Sequence, residues 1–464
     1  MAHPSTLGEL RGSEYRSRSV REELRDNLVA ALRAGQPLFP GLIGYEDTVV
    51  PQIENALLAS QDIVFLGERG QAKSRLIRAL TSLLDEQIPV IAGSEVHDHP
   101  YHPISRYGRD LVAVRGEETP IAWIAREQRF GEKLATPDTS IADLIGEVDP
   151  IRVAEGRYLS DELTIHYGLL PRVNRGIFAV NELPDLAERI QVGLLNIMEE
   201  RDVQIRGFQV RLALDVMVVA TANPEDYTNR GRIITPLKDR FGAQIRTHYP
   251  RSTEQEAELM EQERSDFEGL GVQLHVPTYM RELVAEISQL ARHAPQINQR
   301  SGVSVRLSIA NYESLLANSV RRAILLQEPE AVPRISDLGA MTASTAGKLE
   351  LETWEEGEDQ LVLQKLVRTA VGAVFRRHFS IQEFAPFLGR FEQGFSAEIG
   401  EMMPAERYQQ LAAGIPETNR ILSDLDEPGQ PGSVAAALEL VLEGLHLSKR
   451  LNKTAVDGNT VYNS

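Results

Sequence analysis

The passage that most constrains this chain is Ile63-Val64-Phe65-Leu66 running into Gly67-Glu68-Arg69-Gly70-Gln71-Ala72-Lys73-Ser74. Four apolar residues rich in β-formers end in a glycine loop. The loop opens onto a helical pattern, Arg75-Leu76-Ile77-Arg78-Ala79-Leu80. A strand, a glycine loop, Lys-Ser and a helix, in that order, suit the phosphates of a nucleotide: backbone N–H groups face the anion, Lys73 adds a point charge, and Ser74 can ligate Mg²⁺. Gly67, Glu68, Arg69, Gly70, Gln71, Ala72, Lys73 and Ser74 are therefore the expected nucleotide-binding residues. One position departs from the usual pattern, which has glycine directly before the lysine where this chain has Ala72. A left-handed backbone there would cost alanine roughly 1–2 kcal/mol, and a helical one nothing.

Composition narrows the rest. With 464 residues and 42% hydrophobic content the chain can build two to four domains with sizeable cores. The absence of cysteine removes disulfides, thiolate zinc sites and cysteine nucleophiles, and fits a cytoplasmic location. No run of apolar residues is long enough to span a bilayer, and Met1-Ala2-His3-Pro4-Ser5-Thr6 does not read as a secretory signal. A net charge of −18 argues against nucleic acid as the principal partner.

Taken in order, residues 1–40 read as a helical arm, with Val20, Leu24, Leu28 and Leu32 on one face. Its six arginines (Arg11, Arg16, Arg18, Arg21, Arg25, Arg33) are interleaved with acids and read as a solvated face. Residues 41–250 alternate helical and strand patterns, which predicts a parallel sheet with helices on both faces. Within them, His97-Asp98-His99-Pro100-Tyr101-His102-Pro103 reads as a surface or interface loop, since its prolines and spacing do not suit a metal centre. Residues 251–378 read as helices alone, and residues 379–464 as a further helical extension with a polar tail that frays from Asn452. Ala346-Gly347-Lys348 follows no strand pattern and is a decoy.

Hydrolysis needs more than a phosphate loop: a residue that positions the metal and one that orients water. The strand pattern Ile177 to Val180 ends in Asn181 and Glu182, where ligands bind in open α/β sheets. Glu182 is the expected water-polarising base. Asn181 stands where an aspartate usually holds Mg²⁺ through water, so weaker Mg²⁺ affinity follows. Asn223 ends the next apolar strand pattern and can reach the γ-phosphate or the water from the other side. Arg240, in Thr235-Pro236-Leu237-Lys238-Asp239-Arg240-Phe241-Gly242, can reach a neighbouring subunit's nucleotide as an arginine finger, and Arg306 can clamp the nucleotide from the helical region.

The order of these parts resembles the AAA+ ATPases. Asp143-Leu144-Ile145-Gly146, Ala222-Asn223-Pro224 and Leu237-Lys238-Asp239-Arg240-Phe241-Gly242 are similar to the MoxR and magnesium-chelatase motor-subunit branch, over roughly residues 40 to 375. The excursion from Asp149 to Gly168 sits where that branch has its helix-2 insert, and the Val203–Leu212 pattern where it has its pre-sensor hairpin. The resemblance implies an α/β P-loop αβα core followed by an all-helical lid and extra C-terminal helices. It implies ATP and Mg²⁺ as cofactors, with Lys73 and Ser74 as the Walker A pair, Asn181 and Glu182 as the Walker B pair and Ser74 and Asn181 on the metal. Asn223 would be sensor 1, Arg240 the arginine finger and Arg306 the sensor-2 arginine. It also implies a hexameric ring, and a separate partner with a von Willebrand factor A-type domain, since this chain has no Asp-x-Ser-x-Ser signature of its own.

The expectation is a ring-forming ATPase that remodels a partner protein or drives metal or cofactor insertion into it. Two alternatives remain open at this level. One is a transcription activator or nucleic-acid motor on the same core, although the Gly-Ala-Phe-Thr-Gly-Ala loop of enhancer-binding activators is absent. The other is a nucleotide-gated scaffold with slow turnover, motivated by Ala72 and Asn181.

Overall fold

In the computed structural model, five short strands pair in parallel into one sheet: β1 (Ile63–Leu66), β2 (Phe130–Leu134), β3 (Gly176–Asn181), β4 (Val216–Ala222) and β5 (Ala243–Arg246). Their order across the sheet is β5-β1-β4-β3-β2. The structure describes residues 3–149, 162–200, 202–204, 211–223, 231–298, 302–345, 347–351, 358–456 and 458–464. It divides into two compact units, Met1–His248 and Tyr249–Ser464.

Every residue of β3 and β4 is buried, as continuous apolar strands covered on both faces must be. Alternate side chains go to different layers. Ile63, Phe65, Ile177, Ala179, Met217 and Val219 pack with Leu24, Leu28, Ile53, Leu76 and Ile77 from helices Val20–Arg33, Val50–Leu58 and Lys73–Ala79. Val64, Phe178, Val180, Val218 and Ala220 pack with Ile190, Leu194 and Ile197 of helix Glu188–Glu200. This is the αβα arrangement that the alternating pattern predicts.

The first 40 residues do not form a solvated arm. Helix Val20–Arg33, started by a Ser19–Glu22 capping box, lies in the core layer and is pinned by buried charge. Arg129, fully buried, donates from Nη1 and Nη2 to the two carboxylate oxygens of Glu23 at 2.8 and 2.6 Å. Arg21 pairs with Asp62 at 2.7 Å, and Arg18 with Asp85 at 2.6 Å. Arginines that alternate with acids read as a surface pattern because their partners lie far away in sequence; of the six, Arg11, Arg16 and Arg33 are exposed.

Around the sheet, the run near Pro89 forms a strand, Gln87–Ile91, but it pairs antiparallel with Ile121–Ala125 outside the main sheet. Gly146–Val148 pairs with Ile165–Tyr167 at the base of the expected insert, whose residues 150–161 lie outside the described residues. The expected hairpin is present as Asp202–Gln204 against Arg211–Ala213, its tip at 205–210 again outside them.

The second unit is built on helices around Pro431–Leu447, which is buried from Gly432 to Leu445. Helices Thr278–His293, Val305–Leu326 and Glu358–His378 contribute to the same core. Its one ionisable residue of zero exposure in that central helix, Glu439, accepts from Ser336 N at 2.7 Å, from Ser336 Oγ at 3.1 Å and from the Tyr408 hydroxyl. Burial raises its pKa. The region is not helices alone. Gln273–Leu274 pairs with Glu330–Ala331, and Ala397–Ile399, Asn459–Asn463 and Asn452–Val456 form a three-stranded sheet. The polar tail therefore does not fray: Tyr462 is buried and its hydroxyl donates to Glu443, while Gly458 takes the positive φ of 82° that a tight hairpin turn requires. Its polarity reflects the solvent face of a hairpin, since Asn452–Val456 is exposed throughout.

Removing one member of a buried ion pair strands its partner, at a cost of roughly 3–5 kcal/mol. Glu23→Ala should destabilise the first unit by about that amount in chemical denaturation. A loss below about 1 kcal/mol, the range of surface pairs, would mean that the N-terminal helix is not anchored through Arg129.

Candidate functional site

Because all five strands run the same way, their C-terminal ends share one edge, and the expected site residues stand along it. Gly67 directly follows β1, Asn223 follows β4, Asn181 ends β3 with Glu182 next, and Thr247 follows β5. The glycine loop turns between β1 and helix Lys73–Ala79. A Cβ on Gly67 would lie 1.9 Å from Thr247 Oγ1 and 2.3 Å from Gln71 Oε1, so glycine is required there. Gln71 braces the loop: its Oε1 accepts from Glu68 N at 3.0 Å and from Thr247 Oγ1 at 2.8 Å.

Lys73 is 7% exposed. Its Nζ donates to Gly67 O at 2.6 Å, Glu68 O at 2.7 Å and Asn223 Oδ1 at 2.6 Å. Asn223 in turn donates from Nδ2 to Glu182 Oε2 at 2.6 Å. Three residues far apart in sequence, with Asn223 150 positions from Lys73 and 41 from Glu182, thus form one connected line, cation to amide to carboxylate, across the ends of β1, β4 and β3. Ser74 follows Lys73 on the first turn, half-buried. Asn181 is 9% exposed and donates from Nδ2 to Glu132 of β2. Glu182 N donates to Thr221 Oγ1 at 2.9 Å, and that hydroxyl lies 3.4 Å from Asn181 Oδ1.

Two backbone positions are strained. Ala72 has φ 51° and ψ 17°, and Glu182 has φ 55° and ψ 48°, both left-handed. The loop therefore does require the conformation that alanine adopts only at a cost. Non-glycine residues held left-handed cluster at functional sites, where surrounding structure over-determines them.

The remaining expected residues stand elsewhere. Arg240 ends helix Thr235–Arg240, is exposed, and pairs with the equally exposed Glu199. Arg306 belongs to the second unit, exposed on the first turn of Val305–Leu326 behind the Ser304 cap. Gly347 and Lys348 sit in a turn, with Lys348 N on Thr345 O at 3.0 Å. The histidine-rich loop is organised around Asp98: its carboxylate accepts from Ile104 N at 2.6 Å, Ser105 N at 2.9 Å and Ser94 Oγ at 2.8 Å. Burial, aided by Arg175, pushes His99 down to about 3, so its ring is neutral, and its Nδ1 accepts from Tyr101 N at 2.9 Å. Sequence reasoning did not find Glu132, Thr221 or Thr247. Glu132 sits in Phe-Gly-Glu-Lys-Leu, where two charges in five residues mask an edge strand.

The chain is 26% identical to the magnesium-chelatase subunit ChlI of a Nostoc species over 260 residues, which take in 55% of this chain and 64% of that protein. The chain thus spans just under two thirds of that relative's length. It is 24% identical to the ChlI subunit of Nephroselmis olivacea over 327 residues, 66% of this chain and 86% of that one. The chain is thus similar in sequence to ChlI subunits of magnesium chelatase. No family model matches it. A solved BchI–BchD assembly of magnesium chelatase aligns at 20% identity with a TM-score of 0.36, covering 70% of this chain and 98% of that one. Among the described residues, no helix is long and apolar enough to cross a membrane.

The left-handed Ala72 in the glycine loop bears directly on stability. Ala72→Gly removes the left-handed penalty of roughly 1–2 kcal/mol and adds back about 0.5–1 kcal/mol of backbone entropy. A net gain of up to about 1.5 kcal/mol should raise the melting temperature by a few degrees. A fall in melting temperature would show that the Ala72 methyl packs more favourably than its backbone is strained.

Proposed function

We propose that this chain binds ATP with Mg²⁺ through the Gly67–Ser74 loop and hydrolyses it. In this reading it works as a ring-forming ATPase that remodels a separate partner protein or drives insertion of a metal or cofactor into it. The observation that carries the reading is the Lys73–Asn223–Glu182 line, with its two contacts of 2.6 Å. A buried ammonium set on neutral carbonyl and amide oxygens, at the mouth of a loop where only glycine fits, can exchange those oxygens for phosphate oxygens.

Glu182 is then the residue that takes a proton from the attacking water, and Asn223, bonded to both Lys73 and Glu182, holds that water in line with the γ-phosphate. The oxygen donors available for a metal, the Ser74 hydroxyl and the Asn181 amide oxygen, are hard and few. That suits Mg²⁺, which keeps several waters and binds mainly to the nucleotide. When bound, Mg²⁺ supplies charge neutralisation between the β- and γ-phosphates. Arg240 is exposed and, among the described residues, forms a surface pair with Glu199 worth about 0–1 kcal/mol, so a neighbouring subunit's nucleotide can draw it away at little cost. The same reading gives Arg306 the sensor-2 role.

Support for a separate partner comes from the names of the relatives, which are subunits of magnesium chelatase. The charge of −18 favours a protein partner over a nucleic acid.

Three variants test the assignment by nucleotide titration and phosphate release. Lys73→Ala should weaken ATP binding roughly 10- to 100-fold, the worth of a charged hydrogen bond. Glu182→Gln should keep binding and lower turnover roughly 10²- to 10⁴-fold. Arg240→Ala should keep binding and lower turnover about 10³-fold, and only in the assembled ring. Equal turnover in the wild type and Glu182→Gln would remove Glu182 from the mechanism.

A further inference from the structure

Position 181 carries an amide where a carboxylate would give stronger metal binding, and the structure places a carboxylate against it. β2 and β3 run parallel with Leu134 opposite Asn181 and Glu132 opposite Ala179. Residues two apart on a strand share a face, so Glu132 and Asn181 stand diagonally on the same side of the sheet. Glu132 receives the Asn181 Nδ2 hydrogen bond. Its carboxylate also accepts from Arg78 Nε at 2.8 Å and Arg78 Nη2 at 3.1 Å, from the end of the helix that Lys73 begins. On the other side, Asn181 Oδ1 faces the Thr221 hydroxyl, which accepts from Glu182 N. The amide is oriented from both sides: nitrogen to the carboxylate, oxygen to the hydroxyl.

We infer that Glu132 is a positioning residue for the metal side of the site and that it dictates asparagine at 181. This rests on the nucleotide reading above. The negative charge that a Walker B aspartate would carry is supplied from the neighbouring strand and held in place by Arg78. It fixes the amide so that Oδ1, not Nδ2, is turned away from β2. A second carboxylate at 181 would meet Glu132 within hydrogen-bond distance, where two like charges repel. The pair functions as one amide plus one carboxylate, and the two can be exchanged. Glu132 has 20% of its side chain exposed, enough for an ordinary surface pair with Arg78. The contact with buried Asn181 is what a surface pair does not require.

The test is a double-mutant cycle on the full-length chain with Glu132→Gln, Asn181→Asp and the double variant. Each is read by thermal melting without nucleotide and by titration of a fluorescent ATP analogue with and without Mg²⁺. Asn181→Asp alone should lower the melting temperature by roughly 2–4 °C. Glu132→Gln alone should weaken the Mg²⁺ dependence of nucleotide binding about 10-fold, as loss of an outer-shell partner does. The double variant should recover both to near wild type, a non-additivity that only coupled neighbours show. Additive melting shifts, or tighter Mg²⁺-dependent binding by Asn181→Asp alone, would overturn the inference. A wild-type chain that binds no nucleotide would overturn the nucleotide reading and the metal side of this one. It is told apart from failure of the pair because the melting cycle uses no nucleotide.

Discussion

The site depends on one buried ammonium. Lys73 is almost fully withdrawn from water, and a desolvated charge is tolerated only when its hydrogen bonds are met. They are met by two carbonyls of its own loop and by Asn223, which arrives from another strand. That last contact requires β4 to lie directly beside β1, and the onward contact to Glu182 requires β3 directly beside β4. The sheet order β5-β1-β4-β3-β2 meets both requirements. Thr247, at the end of β5, closes the other side of the loop through Gln71. The order of strands in the sheet, rather than their order in the chain, is what assembles the site.

Strain enters at the two points where the chain must leave the sheet edge abruptly. Ala72 turns the loop into its helix, and Glu182 turns β3 toward the short helical segment Leu183–Asp185, both with φ above 50°. Glycine would relieve either, but a glycine at 182 would have no carboxylate to offer. There the conformational cost and the chemistry fall on the same residue. At Ala72 no chemistry depends on the side chain, so the strain is confined to stability, and the two positions should respond differently to substitution by glycine.

Much of this was legible in the chain. β1, β3 and β4 are short, predominantly apolar and buried, so period and burial agree; Asn181, Glu182 and Asn223 stand at the ends of β3 and β4, and Lys73 opens the helix after the glycine loop. The parts that were not legible share a physical cause: they depend on partners distant in sequence. Helix Val20–Arg33 looks solvated because Asp62 and Arg129, which make its charges buriable, lie 41 and 106 positions from Arg21 and Glu23. β2 is an edge strand with charges at Glu132 and Lys133, and edge strands carry no continuous apolar run. The closing hairpin is exposed on one strand and anchored by Tyr462 and by the Lys453–Glu443 ion pair, so its composition resembles a tail.

The same edge strand changes the meaning of the least conventional residue in the site. Read alone, Asn181 is a loss: the oxygen of an aspartate without its charge. Read beside β2, it is the neutral half of a pair whose charge sits on Glu132 and is balanced by Arg78 on the phosphate-loop helix. That ties the loop helix, the edge strand and the end of β3 through one carboxylate. A displacement of the helix by phosphates would be felt first at Arg78, then at the Glu132 carboxylate, then at the Asn181 amide. The departure at 181 and the carboxylate at 132 are therefore best understood as one feature, which no single strand of the sequence contains.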